Sequence, residues 1–375
     1  MDRATWSSFL HRWNEDCLAC PDYADIIPDG WAGFPPATEE QVTVVEGRLG
    51  VRLPPSLREF LLFSNGWGHT MNFVEGIRSA EELGWVRDLD PMWCEHLEGA
   101  EEEAAIFQRG LLICTEADAG CLFLDPGDVD ERGEWAAYEV FSWMAEAPRR
   151  HDSFYDLMYS MFAAFHHLER PQCATQREWD SKVEQARRAA LAGALDEAEP
   201  VLREAAAFGR DRARVLLFQI DALVGGQDTG LVVSALSRGG RPAGTWELDG
   251  SLVAAEILPV LHLEHLRTNH HLQSSTFSHL RKYGTEPIKQ LVGDYLAKAG
   301  EAGFRVVVGN AEFDAAVQAA IADPDTAWPR IREALALWRP LSEDHIAPAS
   351  LMADPRLAGL ITPERGREIL MTRRG

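Results

Sequence analysis

The spacing of apolar residues changes twice along the chain, and this change constrains the fold more than any other feature. Between residues 39 and 63 the apolar positions recur every three or four residues, which is typical of amphipathic helices. Between residues 71 and 141 they form short runs separated by turn-rich segments, which predicts strands. After Arg170-Pro171 the sequence becomes alanine-rich with helical spacing. We therefore predict an α+β first domain with an antiparallel sheet, followed by a mostly α-helical C-terminal region.

The helices of the first domain carry clear end signals. Residues 1–20 predict a short amphipathic helix. Thr38 is followed by Gln41, the spacing of a capping box, ahead of an apolar stripe that ends at Gly50. A proline pair fits the first turn of the next helix, which we expect to stop at Asn65-Gly66.

Short strand-like runs follow these helices, at residues 71–74, 111–114, 121–124 and 135–141. Short connections between the last three predict an antiparallel meander. Asp152 can cap a closing helix whose apolar face, from Phe154 to Phe165, is wide enough to cover the sheet. We expect this first domain to span residues 1–168.

The rest of the chain is expected to be helical. Residues 175–300 predict helical hairpins, with Gly193 and Gly209 where hairpin turns belong, although no repeat of fixed period is present. Residues 301–375 predict a separate C-terminal helical module.

Acidic residues are concentrated in the first domain. Residues 1–167 contain 11 Arg, no Lys and 31 Asp and Glu, a formal net charge of −20, whereas the remaining residues carry −3. Such a field repels nucleic acids and anionic membrane surfaces, so we expect neither as a partner, and it speeds encounter with a basic protein. The acidity could equally serve solubility alone.

Several classes of protein are disfavoured. No stretch approaches the roughly 18 apolar residues that a membrane span needs, and the start lacks the apolar run of a secretion signal. Six unevenly placed cysteines suggest reduced thiols, and we expect a cytoplasmic protein. Phosphate-binding loops, zincin motifs, nucleophile elbows and dinucleotide fingerprints are absent from the sequence. We therefore expect a non-catalytic protein without a cofactor.

Potential metal ligands occur in incomplete patterns. Cys17 and Cys20 have the spacing of half a zinc site, but no second Cys-x-x-Cys follows, and Cys94 with His96 is a lone compact pair. The histidines from His262 to His279 are divided by a predicted helix end. The sequence thus predicts no metal site.

The acidic segments of the first domain are the candidate surface for a cationic partner. Exposed aromatic side chains beside them would supply the apolar contacts that charge alone does not. The candidate residues are Glu98, Glu101, Glu102, Glu103, Asp128, Asp130 and Glu131, with Trp67, Trp85 and Trp93 as aromatic candidates. A solvated acidic surface without a partner remains the alternative.

The segment from Pro36 to Gly66 resembles the opening signature of the SUKH superfamily. It contains a capped helix with a glutamate, a Leu-Gly end, Leu-Pro, an aromatic-containing helix and Asn-Gly. Leu57 stands where the family usually has an aromatic residue. The later blocks at residues 123–126, 133–138 and 153–157 resemble the family's strands and final helix.

This resemblance implies a function in protein binding. The superfamily includes bacterial immunity proteins that neutralise toxin domains, often nucleases, and fungal regulators of cell-wall synthesis. Our first expectation is therefore an immunity protein that neutralises a basic toxin by binding and occlusion. The alternative is an intracellular scaffold whose helical hairpins hold client proteins.

Two further features of the resemblance leave questions open. Glu46 lies within the signature, and it could face a binding groove or cap a neighbouring backbone segment. The tail from Trp338 to Leu370 resembles a C-terminal module found on long actinobacterial chains of this type, for which no activity is implied.

Overall fold

The chain divides into two compact units, Met1–Gln176 and Arg177–Gly375. The computed structural model describes residues 2–71, 73–95, 101–144, 146–226, 229–237, 247–268 and 274–374. In these ranges the first unit combines helices with antiparallel strands and the second is helical, which confirms the predicted fold class. No helix of the described ranges combines the length and apolarity that crossing a membrane would require.

The helices of the first unit precede, interrupt and follow its strands. They are α1 (Arg3–Leu18), α2 (Pro21–Ala24), α3 (Glu39–Leu49), α4 (Pro55–Phe63), α5 (Val86–Leu89), α6 (Met92–Glu95), α7 (Glu101–Arg109) and α8 (Phe154–Glu169). The strands are β1 (Trp67–Met71), β2 (Val74–Ile77), β3 (Gly84–Trp85), β4 (Leu111–Leu112), β5 (Gly120–Val129), β6 (Trp135–Phe141) and β7 (Arg149–His151).

The strands form two antiparallel sheets. Strands β3 to β7 pair in sequence order, and the predicted meander of β4, β5 and β6 is confirmed. Strands β1 and β2 form a separate hairpin. The prediction of one strand over residues 71–74 is wrong, because the chain reverses there and Met71 pairs with Val74 across the hairpin.

The predicted helix ends are mostly confirmed. Thr38 and Gln41 form the reciprocal capping box before α3, and Gly50 ends that helix with a positive φ of 71°. The cap of α8 is Ser153 rather than Asp152, because the Ser153 hydroxyl accepts the Asp156 backbone N–H. Asp152 instead pairs with Arg150 on the surface.

Helix α1 contributes aromatic side chains to the core of the first unit. Trp6 lies 5.2 Å from Phe60 of α4, measured between ring centroids, and Phe9 lies 5.5 Å from Phe162 of α8. Trp13 packs on the same Phe162 at 5.4 Å. All five rings are buried. The N-terminal helix is thus part of the domain core and not an appendage.

The second unit is built from helices. Its elements are α9 (Ala174–Ala192), which begins just before the unit boundary, α10 (Leu195–Ala207), α11 (Asp211–Val224), α12 (Thr229–Ser237), α13 (Gly250–Leu252), α14 (Leu258–Thr268), α15 (Ser274–Tyr283), α16 (Glu286–Ala299), α17 (Ala311–Ile321), α18 (Ala327–Ala334), α19 (Pro355–Leu360) and α20 (Pro363–Met371). Gly193 and Gly209 have positive φ values of 87° and 74° at the predicted hairpin turns. A separate module beginning at residue 301 stays a prediction.

Candidate protein-binding surface

Trp67 lies in the core, so it does not provide the surface contact that the sequence predicted. Its side chain is fully buried, with its ring centroid 6.0 Å from that of Trp13 and 5.2 Å from that of Trp31. The prediction had named Trp67 as an exposed aromatic residue beside the acidic segments. Trp67 is the first residue of strand β1, and its side chain contacts Trp13 of α1.

Trp85 and Trp93 are half-buried and remain candidates. The guanidinium carbon of Arg87 lies 5.4 Å from the Trp85 ring centroid, within cation–π range. The Trp93 ring stacks on the buried Phe107 at 5.7 Å. Each ring therefore has a fixed position with one part accessible to solvent.

Glu46 caps a neighbouring backbone segment, one of the two roles that the sequence left open. Its Oε1 accepts the Leu53 backbone N–H at 3.0 Å, and the Arg58 Nε lies 3.7 Å from the same oxygen. The carboxylate thereby holds the Leu-Pro segment against α3. This contact accounts for a glutamate at this position without a partner.

Some of the acidic residues at the end of β5 and in the turn before β6 hold local structure. Asp128 accepts hydrogen bonds from Arg150, at 2.7 Å from Nε, and from the Tyr138 hydroxyl, and the Arg150 hydrogen bond lowers the Asp128 pKa. Asp130 accepts the backbone N–H groups of residues 132 and 134, which lowers its pKa as well. Glu131 is exposed.

The other predicted acidic residues are described only in part. Glu98 lies outside the described residues. Glu101, Glu102 and Glu103 form the first turn of α7, but their side chains are not described. Their role in binding stays a prediction.

A further aromatic residue, Trp143, is exposed, although the sequence analysis did not select it as a candidate. It lies in a short 3-10 turn, Ser142–Met144, directly after β6, and its side chain is 52% exposed. Its ring contacts Phe73 and Phe141, with centroids 5.3 Å and 5.4 Å away. Its Nε1 donates a hydrogen bond to the Asp118 carbonyl at 3.1 Å.

Exposed acidic residues lie in the two segments that contact Trp143 through Phe73 and Asp118. The Glu75 backbone N–H donates to the Glu116 carbonyl, and the Asp118 N–H donates to the Phe73 carbonyl, both at 2.9 Å, so these two segments lie side by side. The carboxylate residues at positions 75, 116 and 118 are exposed. We call this surface the acidic–aromatic patch; it consists of Phe73, Glu75, Glu116, Asp118, Trp143 and Met144.

The geometry of the acidic–aromatic patch suits protein recognition. Two ring contacts and one hydrogen bond fix Trp143, so little side-chain entropy remains to be lost on binding. An aromatic centre with a polar rim is the usual arrangement of residues that dominate binding energy. Sequence reasoning missed the patch because Phe73 and Trp143 are 70 positions apart.

A groove near the start of α4 has a different character. It has a volume of about 730 Å³ and is lined by residues that include Arg52, Arg58, Arg132 and Trp135. Arg58 pairs with Glu39, and Arg132 pairs with Asp130 at 3.0 Å. These ion pairs offset much of the positive charge, so the groove offers a weaker electrostatic contrast than the acidic–aromatic patch.

Some of the potential metal ligands noted in the sequence are buried or contact other side chains among the described residues. Burial raises the pKa of the Cys17 thiol, and it does the same for Cys114 and Cys121, which lie in the core. The His262 Nδ1 lies 3.2 Å from the Tyr295 hydroxyl. His265, His270 and His271 have no described side chains.

Part of the first unit matches a known protein family. Residues 36–166 match the SMI1 / KNR4 family (SUKH-1), a segment of about a third of the chain. No curated protein and no solved structure matches the chain. The matched segment runs from the loop before α3 into α8 and contains the whole acidic–aromatic patch, whereas α1 and the second unit lie outside it. Over residues 36–166 the chain is therefore similar to the SMI1 / KNR4 family (SUKH-1).

Proposed function

We propose that the first unit neutralises a basic toxin domain by binding it and covering its working surface, as an immunity protein does. The observation that carries this proposal is the acidic–aromatic patch, in which a fixed, half-exposed Trp143 contacts two segments that carry exposed acidic residues. The family match supports a protein-binding, immunity-like or regulatory module in general. Occlusion requires shape and charge and needs no catalytic group.

The electrostatics favour a partner that itself binds phosphates. A protein that holds a nucleic-acid backbone presents lysine and arginine side chains, because neutralising phosphates supplies much of its affinity. A domain with a net charge of −20 is attracted to that same basic surface. Carboxylates of the patch can occupy the positions of phosphates, while Trp143 fills an apolar depression between them. A nuclease toxin fits this description.

The test is binding and protection with patch variants of the full chain. The partner is first identified by affinity purification of the full chain from cells that encode it, followed by mass spectrometry. We expect Trp143→Ala to weaken binding by at least about 2 kcal/mol, roughly thirtyfold in Kd, because it removes a central aromatic contact. Co-expression of this variant should also protect cells less well against the toxin.

A matched control separates the patch from general surface effects. Val44 is 64% exposed on α3, away from the residues of the patch, so Val44→Ala removes a similar kind of exposed apolar side chain. The proposal fails if Trp143→Ala and the double variant Glu116→Lys/Asp118→Lys bind as tightly as the wild type. Retention of the partner by the second unit alone would instead favour the scaffold function.

A further inference from the structure

Three buried side chains of different chemistry converge near the end of the first unit. Asp16 lies in the last turn of α1, His166 in the last turn of α8, and Cys173 just before α9. One carboxylate oxygen, one imidazole nitrogen and the thiol sulfur all lie within 4.8 Å of one another. None of the three residues is more than 6% exposed.

The carboxylate of this group is held in place by its neighbours. The His166 Nε2 lies 3.1 Å from Asp16 Oδ2, and the Thr175 hydroxyl donates to the same oxygen. Thr175 in turn accepts a hydrogen bond of 2.8 Å from Arg12 Nε. Metal-binding carboxylates and imidazoles are oriented by just such outer hydrogen bonds.

We propose that Asp16, His166 and Cys173 bind one zinc-class divalent ion. Oxygen, nitrogen and sulfur donors of these residue types are the usual ligands of Zn²⁺, and the thiolate disfavours Mg²⁺ and Ca²⁺. Ligand bonds of about 2.0–2.3 Å place tetrahedral donors roughly 3.5 Å apart. The widest separation among the three donors therefore needs to shrink by only about an ångström around the ion, and a water molecule takes the fourth position.

Binding of an ion changes the protonation of its ligands. Burial opposes ionisation of Asp16, but hydrogen bonds from His166 and Thr175 outweigh it and hold the Asp16 pKa below its ordinary value. Burial raises the pKa of Cys173 to about 12, so the metal-free thiol is protonated. On binding, the thiol proton leaves to solvent and the ring proton of His166 moves from Nε2 to Nδ1, so that the neutral imidazole coordinates through Nε2. One carboxylate and one thiolate then neutralise the dication, which removes the buried negative charge.

The site joins segments that are distant in sequence. Asp16 and Cys173 lie outside the family-matched segment, and His166 is its last residue. A bound ion would tie α1 to the end of α8 and to the residues before α9. The three residues do not form a sequence motif, because 150 positions separate Asp16 from His166 and 7 separate His166 from Cys173.

The test is a titration of the metal-free, reduced full chain with Co²⁺ and then with Zn²⁺. We expect one Co²⁺ per chain, with tetrahedral bands in the visible range and a thiolate-to-cobalt charge-transfer band, all lost when one equivalent of Zn²⁺ is added. Zn²⁺ should also raise the temperature of thermal unfolding. Cys173→Ser should abolish the charge-transfer band, and His166→Asn should weaken binding by more than about tenfold.

A second cysteine variant provides the control. Cys94 is half-buried elsewhere in the same unit, so Cys94→Ser should bind Co²⁺ as the wild type does. Failure of the folded wild type to bind Co²⁺ or Zn²⁺ in a one-to-one ratio would overturn the proposal, whatever the variants do. Binding that survives in folded Cys173→Ser with its charge-transfer band intact would overturn the assignment of ligands. Neither result bears on toxin binding, which uses different residues.

Discussion

Glu134 shows at the scale of single residues how one buried carboxylate joins two distant elements. It precedes β6, and it accepts hydrogen bonds from the Ser56 backbone N–H at 3.0 Å and from the Ser56 hydroxyl at 2.6 Å. Ser56 lies in the first turn of α4, where Pro54 offers no side-chain cap. The carboxylate therefore supplies both the acceptor and the negative charge that a helix start favours.

We expect Glu134→Ala to lower the free energy of unfolding by about 2–3 kcal/mol, because it leaves a buried N–H and a buried hydroxyl without their charged acceptor. Urea unfolding of the full chain would measure this change. Glu131→Ala, an exposed change in the same loop, should have almost no effect. Equal stability of the two variants would contradict the capping role.

The two tryptophans Trp67 and Trp143 show which residue properties can be predicted from sequence. Both lie in or next to short strands, yet one is fully buried and the other half-exposed. Their environments are set by long-range neighbours, Trp13 for the first and Phe73 for the second. Local patterns contain no information on such neighbours, so the burial of Trp67 and the exposure of Trp143 could not be predicted.

At the scale of elements, the capping box of α3 was predictable and the hairpin of β1 and β2 was not. The capping box of Thr38 depends on a residue three positions away, so it is visible in the sequence. The reversal between Met71 and Val74 separates two apolar residues that read as one strand. Strand boundaries depend on pairing partners, and the apolar pattern alone does not reveal them.

Helix α1 is expected to be essential to the first unit although it precedes the family-matched segment. Trp13→Ala should lower the free energy of unfolding by about 3–5 kcal/mol, because the ring is fully buried between Phe162 and Trp67. Ser8→Ala, an exposed change on the same helix, should be nearly neutral. Thermal unfolding of both variants tests this, and an unchanged transition for Trp13→Ala would show that α1 is dispensable.

An ionic cluster centred on Glu184 connects α9 and α11 in the second unit. Hydrogen bonds from Arg187 at 2.8 Å, from Arg188 and from Arg212 lower the pKa of Glu184 to about 2. A lowered pKa in the folded state stabilises the fold above the ordinary value of 4.5. This stability is lost as the pH falls from 4.5 towards 2, where Glu184 becomes protonated in the folded state as well.

We therefore expect Glu184→Gln to cost on the order of 2 kcal/mol at pH 7 and much less at pH 2. Urea unfolding at the two pH values would measure the difference, with other titrating groups common to both proteins. Glu178→Gln removes an exposed partner of Lys182 on the same helix and should cost at most about 0.5 kcal/mol at either pH. A pH-independent loss in Glu184→Gln would contradict the lowered pKa.

At the scale of the whole molecule, the charge distribution separates the two units. Net charges of −20 for residues 1–167 and −3 for the rest could be counted from the sequence, as could the change from an α+β to a helical fold. The positions of the carboxylates on the surface could not be predicted from the sequence. Asp128 and Asp130 proved to hold local structure, whereas Glu116 and Asp118 lie exposed beside Trp143.

This distribution leads to a kinetic prediction for association with a basic partner. The association rate of the wild type should fall steeply as salt rises, because screening shortens the range of the field, whereas the dissociation rate should change little. Glu116→Lys/Asp118→Lys should lower the association rate at low salt and flatten its salt dependence. Trp143→Ala should instead raise the dissociation rate, because it removes a desolvated contact.

Comparison with other charge reversals locates the effect on the surface. Glu101→Lys/Glu102→Lys tests the acidic start of α7 with the same change in net charge, and Glu40→Lys tests an exposed carboxylate of α3. Surface plasmon resonance at two salt concentrations would give both rates for each variant. If the patch reversal lowers the association rate more than the α7 reversal, local charge at the patch steers the partner. If all variants and the wild type associate at one salt-independent rate, the acidity serves solubility, and binding depends on apolar contact alone.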